Sequence, residues 1–174
     1  MNETTRLTPR KPVPDIEVPT TTGSPWRLAD RSPQHLVLIL FYRGLHCPIC
    51  KVQLREWDAK LEELVRRGVD VIAISTDTRE RALRTREEWG LKNLTLGYGL
   101  PIETARAWGL YISRSIKETE PPEFSEPGLF LIKTDMTLFA AQISTMPFAR
   151  PPLADIVRAI DFVVQNNYPA RGEA

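Results

Sequence analysis

The spacing of apolar positions changes several times along the chain, and each change marks an element. From Leu36 to Tyr42 seven residues run Leu-Val-Leu-Ile-Leu-Phe-Tyr without a polar interruption, the pattern of a strand buried on both faces. Arg43-Gly44 ends it. After Cys50 the period lengthens: Leu54, Trp57, Leu61 and Leu64 recur at steps of three and four, with Arg55, Glu56, Lys60 and Glu63 between them. That spacing predicts an amphipathic helix stopped by Gly68, with Trp57 in the core. Val69–Ser75 reads as a second strand, and Thr76-Asp77-Thr78 offers N-caps for a charged, mostly solvated helix from Arg79 to Trp89. Leu94–Leu96 predicts a short edge strand, and Pro101 opens a helix that holds Ala105 and Trp108 before Gly109.

The flanking regions obey other patterns. Residues 1–14 are mostly polar and interrupted by Pro9, Pro12 and Pro14, which predicts an extended lead-in held by few contacts. Ile16 and Val18, then Trp26 and Leu28, alternate about the turn Thr20–Gly23 and predict a short hairpin. Ile116–Pro127 holds three prolines and four glutamates and predicts an irregular excursion outside any sheet. Gly128–Ile132 and Thr137–Phe139 flank Lys133-Thr134-Asp135 as an antiparallel hairpin, and Leu153, Ile156, Val157, Ile160 and Val164 mark a closing helix that ends near Asn166-Asn167. Strands and helices in succession imply parallel pairing through right-handed crossovers, an α/β class with its site at the carboxyl ends of the strands.

Charge and size narrow the functions. With 174 residues, 42% of them apolar, the chain suits a single domain over 1–174. Its net charge of +1 is spread among interspersed acids and bases, so nothing favours nucleic acid or a membrane surface. Met1–Arg6 carries no apolar segment like a signal peptide, and no apolar run is long enough to span a bilayer; the expected compartment is the cytoplasm. Both cysteines fall in one four-residue window, Cys47-Pro48-Ile49-Cys50. In a reducing compartment that placement points to catalysis or metal binding more than to a structural staple.

Pro48 suits the first position of a helix, which puts Cys47 at the N-cap. A thiol there meets unpaired N–H groups and the positive end of the helix dipole, and both favour thiolate. Cys50, three residues on, is within reach to resolve a mixed disulfide or sulfenic acid. Two buried structural cysteines, or a zinc site using His46, Cys47, Cys50 and His35, are the alternatives. Arg43 is close enough to stabilise a thiolate or form an ordinary salt bridge, and His46 to tune the thiol, move a proton or sit at the surface. Arg150, in Met146-Pro147-Phe148-Ala149-Arg150, belongs to a loop that can return to the site as a substrate-binding group, although a surface role is the readier reading. Met146 and Phe148 read as core more readily than as an entrance or interface.

The strand leading into Cys47–Cys50, the later Glu126-Pro127-Gly128-Leu129-Phe130-Leu131-Ile132, and the closing hairpin and helix together resemble the thioredoxin-fold superfamily. Within it they resemble the peroxiredoxin-like group, alkyl hydroperoxide reductase and thiol-specific antioxidant. The resemblance implies a central mixed sheet flanked by helices, with an N-terminal hairpin ahead of it. It also implies a thiol oxidoreductase that reduces peroxides or disulfides through a Cys47/Cys50 dithiol cycle, without metal or organic cofactor. A thioredoxin- or glutathione-type partner would return the electrons, and the resemblance leaves room for a homodimer. The family pattern Pro-x-x-x-Thr-x-x-Cys, laid on Arg43–Cys50, puts Arg43 at the proline, Cys47 at the threonine and Cys50 at the attacking cysteine. Cap geometry makes Cys47 the attacker, and that assignment is preferred here. Glu126 and Pro127 stand where the family has an arginine, and Pro127 resembles the cis-proline that thioredoxins hold beside their disulfide, a substrate-binding position. A thioredoxin-like disulfide reductase without peroxidase activity and a redox-sensing binding protein are the other readings.

Overall fold

A two-stranded ribbon, β1 (Glu17–Val18) antiparallel to β2 (Trp26–Arg27), precedes the first long strand, β3 (Leu36–Phe41). The computed structural model describes residues 6–174. After β3 come α1 (Pro48–Ala59), α2 (Leu61–Val65), β4 (Val69–Ile74), α3 (Arg79–Trp89), β5 (Thr95–Gly97) and α4 (Ile102–Ala107). The chain continues through β6 (Ile112–Arg114), β7 (Glu123–Ser125), β8 (Gly128–Lys133), β9 (Leu138–Ile143) and α5 (Leu153–Asn166). The main sheet has the order β5-β4-β3-β8-β9, parallel among β5, β4 and β3 and antiparallel from β3 through β8 to β9. This is the central mixed sheet of an α/β fold.

β3 sits at its centre and is buried at all six positions, because both faces are covered. Leu36, Leu38, Leu40 and Tyr42 pack with Leu54, Trp57, Leu64, Leu153 and Ile160 from α1, α2 and α5. Val37, Ile39 and Phe41 pack on the other face with Val18, Trp26, Ala105 and Trp108. At about 1.5–3 kcal/mol for each fully buried large side chain, this strand ties the two layers together. Its carboxyl end therefore presents the loop before α1 from a fixed support.

Most predicted elements form where the pattern places them, with these corrections. The helix after Cys50 breaks at Lys60, whose φ of −110° and ψ of 11° leave the helical range, giving α1 and α2 in place of one element. The excursion Ile116–Pro127 is partly sheet: β7 pairs antiparallel with β6 in register Ile112 to Ser125. Pro121, Pro122 and Pro127 lie outside the three paired residues of β7, so no proline removes a ladder bond. The Glu120 carboxylate accepts from Ile116 N–H at 2.9 Å and closes the connection. The lead-in, for which residues 1–5 lie outside the described residues, is held more firmly than its composition suggests. Arg10 N–H donates to Leu138 O, Leu138 N–H to Lys11 O and Val13 N–H to Met136 O, which lays this segment along the start of β9. Met146 and Phe148 are not core; they are 56% and 76% exposed. Among the described residues no helix is long and apolar enough to cross a membrane.

Candidate active site

Between β3 and α1 the chain must turn sharply and still present side chains, and Gly44 makes this possible. Its φ is +134°, and a Cβ there would lie 2.7 Å from Asp77 Oδ2. The buried Asp77 carboxylate accepts from Leu45 N–H at 2.8 Å and from Arg81 Nε at 2.7 Å. The loop is thereby fastened to the segment between β4 and α3. Thr78, not Asp77, caps α3 through its side chain.

Cys47 is the N-cap of α1 with Pro48 at the first helical position, and its Sγ accepts from Cys50 N–H at 3.2 Å. Both sulfurs lie within the fold. Arg43 is among the positive charges that lower the Cys47 thiol; its Nε forms an ion pair with Glu126 Oε2 at 3.0 Å, and its guanidinium lies 5.0 Å from the Phe124 ring centre. Arg150 reaches in from the loop between β9 and α5, with Nη2 3.4 Å from Cys50 Sγ and 4.0 Å from Cys47 Sγ. Its Nε and Nη1 are buried without partners.

This field separates the two thiols. The hydrogen bond from Cys50 pulls Cys47 well below the ordinary thiol range; the Cys50 N–H, Arg43 and Arg150 add to it, and together they outweigh the opposing effect of burial. Burial, then the neighbouring Cys47 anion, pushes Cys50 up. At neutral pH the pair is a Cys47 thiolate beside a Cys50 thiol. A depressed value means ionisation above it and protonation as pH falls through it. Ultraviolet thiolate absorbance of the reduced protein should accordingly persist through neutral pH and vanish only in acid, accounting for one of the two cysteines. Two thiolates appearing together in the alkaline range would contradict this.

Burial and then the nearby Arg43 lower His46 to about 4, so its ring is uncharged near neutrality. Its Nδ1 is 3.4 Å from Arg81 Nη2, and its ring meets Phe124 edge to face at 4.6 Å. It therefore packs the loop and does not supply a charge to the thiolate.

The structure gathers Arg43, His46, Cys47, Cys50 and Arg150 around one loop. For Arg150 this overturns the surface reading. Pro127 lines a cleft of about 20 Å³ together with Arg150, Gln53 and Ser144. The peptide before Pro127 is trans, since no cis peptide occurs among the described residues. Glu126, ahead of the proline, is held by its N–H to Tyr111 O and by its carboxylate to Ser113 and Arg43. His35 precedes β3, at the end of the sheet opposite the cysteines, so it cannot complete a zinc site with them. The parts that Glu126 and Asp77 play at the site, and Arg81 and Phe124 altogether, escaped the sequence reading. An acid at Glu126 where the family pattern has a base, with a base at Arg43 where it has a proline, was the available signal for the first.

A cysteine capping a helix after the central strand, with a second cysteine one turn on, is the arrangement of a thiol oxidoreductase of the peroxiredoxin-like class on a thioredoxin-type fold. The model of the AhpC/TSA family matches residues 9–141. The chain belongs to that family, and its chemistry is that of a thiol-dependent peroxidase. A relative in Mycobacterium tuberculosis, Rv2521, is 32% identical over 111 residues, covering 64% of this chain and 69% of that protein. Peroxiredoxin Bcp of Escherichia coli is 37% identical over 83 residues, covering 48% and 52%. The crystal structure of peroxidoxin BcpB from M. tuberculosis superposes with a TM-score of 0.70 at 22% identity, covering 89% of this chain and 96% of that one, a likeness of fold.

Proposed function

We propose that the chain, acting as one domain, reduces a hydroperoxide at Cys47 and closes a Cys47–Cys50 disulfide. The Cys47 thiolate attacks one peroxide oxygen; the S–O bond forms, the O–O bond breaks, and the departing hydroxide or alkoxide takes up a proton. The sulfur, oxidised by two electrons, becomes a sulfenic acid. Cys50 then attacks it, a disulfide forms and water leaves. A dithiol of the thioredoxin or glutathione type restores both thiols by exchange, which suits a reducing compartment such as the cytoplasm. The observation that carries this reading is the Cys47 sulfur at the helix cap, taking the Cys50 N–H at 3.2 Å, with Arg150 Nη2 within 4.0 Å of both sulfurs.

Substrate size favours peroxide over a protein disulfide. Cys47 and Cys50 are 1% and 0% exposed in the reduced pair, so a small oxidant reaches them through a slight opening, whereas a protein partner needs the first turn of α1 to open, a change that closure of the Cys47–Cys50 disulfide must supply before a protein reductant can enter. Arg150, with two unpartnered donors beside the sulfurs, is placed to bond to a peroxide oxygen as charge develops on it.

Stopped-flow oxidation of the reduced protein by hydrogen peroxide tests the reading. Consumption far faster than that of a free thiol is expected. Arg150→Ala should slow it roughly 10- to 150-fold, the loss of a charge-assisted hydrogen bond of about 1.5–3 kcal/mol. Slow consumption together with rapid reduction of a protein disulfide would replace the peroxidase by a disulfide reductase.

A further inference from the structure

Glu126 stands between β7 and β8 with its side chain only 8% exposed. Its two oxygens have separate partners. Oε1 accepts from Ser113 Oγ at 2.6 Å, and Oε2 lies 3.0 Å from Arg43 Nε. Its backbone N–H is spent on Tyr111 O at 2.8 Å, so the residue is fixed at two points before it meets Arg43. Arg43 in turn rests on the Phe124 ring, 5.0 Å from its centre, four residues before Cys47 in the same loop, where its charge acts on the Cys47 sulfur. One guanidinium is thus shared by two anions, and one of those anions is the reacting sulfur.

We propose that Glu126 is a positioning residue: it aims the Arg43 guanidinium at the Cys47 sulfur and takes up part of its positive charge, so that the sulfur keeps its nucleophilic strength. The proposal rests on Cys47 being the attacking group. A thiolate's reactivity falls as its basicity falls, with a Brønsted slope of about 0.4–0.5. Once the sulfur is fully ionised at neutral pH, further positive charge slows attack without adding thiolate. Arg43 alone would overshoot; Arg43 paired with Glu126 does not.

The other groups facing this point are accounted for. Cys50 and Arg150 meet the Cys47 sulfur through contacts of their own, at 3.2 and 4.0 Å, His46 is uncharged near neutrality, and Arg81 is paired with Asp77 at 2.7 Å. Glu126 is therefore the acid whose removal changes the charge seen through Arg43.

Glu126→Gln keeps the shape and the Ser113 bond while removing the charge. In the full-length reduced protein the thiolate absorbance midpoint should move to lower pH. The second-order rate with hydrogen peroxide, and with the alkylating agent iodoacetamide, should fall about threefold for each pH unit of that move. Glu126→Asp, which restores the charge, should return the midpoint most of the way. In an Arg43→Met background the same substitution should leave the midpoint where it is, because Glu126 then has no guanidinium through which to act on the sulfur. A midpoint that stays put in Glu126→Gln, that rises, or that moves as far without Arg43 overturns the proposal, even if the variant is less stable. The midpoint and the alkylation rate do not involve peroxide. Should they behave as expected while the unaltered protein ignores hydrogen peroxide, the role of Glu126 stands and the peroxidase reading falls.

Discussion

Cys47→Ser removes the rapid oxidation by hydrogen peroxide, a loss on the order of a thousandfold or more, since nothing replaces the nucleophile. Cys50→Ser keeps the rapid first step and halts at a sulfenic acid that no disulfide can relieve. Two arguments meet at this point. The family pattern aligns its attacking cysteine with Cys50, and Arg150 Nη2 is nearer to Cys50 Sγ, at 3.4 Å, than to Cys47 Sγ, at 4.0 Å. Against this, burial raises Cys50 and its N–H bonds to the Cys47 sulfur, so the charge settles on the cap sulfur. The shorter approach of Arg150 then has a different use: it stabilises Cys50 as it loses its proton during closure of the disulfide. Mass spectrometry after one equivalent of peroxide distinguishes the cases. A sulfenic acid trapped on Cys47 in Cys50→Ser supports this assignment, and loss of the rapid phase in Cys50→Ser alone reverses it.

The fold was legible where burial and period coincide. The run Leu36–Phe41 announced a strand covered on both faces because no polar residue interrupts it, and α3 was bounded correctly because Thr78 and Gly90 are local stop signals, one capping with its side chain and the other at φ 66°. The cap at Cys47 was equally local, written in Pro48. What could not be read is non-local. β6 and β7 hold three residues each, too short for an alternation to declare itself, and their pairing depends on a turn closed by Glu120. Arg150 is 100 residues from Cys50 in sequence; only the path of β9 and α5 around the sheet brings it back. Asp77 was readable as a helix cap, yet its carboxylate serves Leu45 and Arg81, since the parallel pairing of β3 with β4 sets the two loops side by side. The sequence thus exposed the reactive sulfur and hid most of the charges that govern it.

Trp57→Ala should cost about 3–5 kcal/mol of stability, the range for emptying an aromatic site in a packed core. Trp57 is wholly buried in the layer formed by α1, α2 and α5 against β3. Its indole nitrogen has no hydrogen-bond partner, so the substitution orphans no polar group and the loss is one of packing. For a chain of 174 residues this corresponds to a fall in Tm of roughly 6–20 °C. In urea the midpoint should drop with the slope unchanged, because the surface exposed on unfolding is nearly the same. The thiolate titration of the folded variant should stay where it is, since Cys47 is held by bonds made within the first turn of α1 and by Arg43 from the end of β3. A shifted titration with stability intact would mean that the seating of α1 on the sheet, and not its first turn, makes the sulfur acidic.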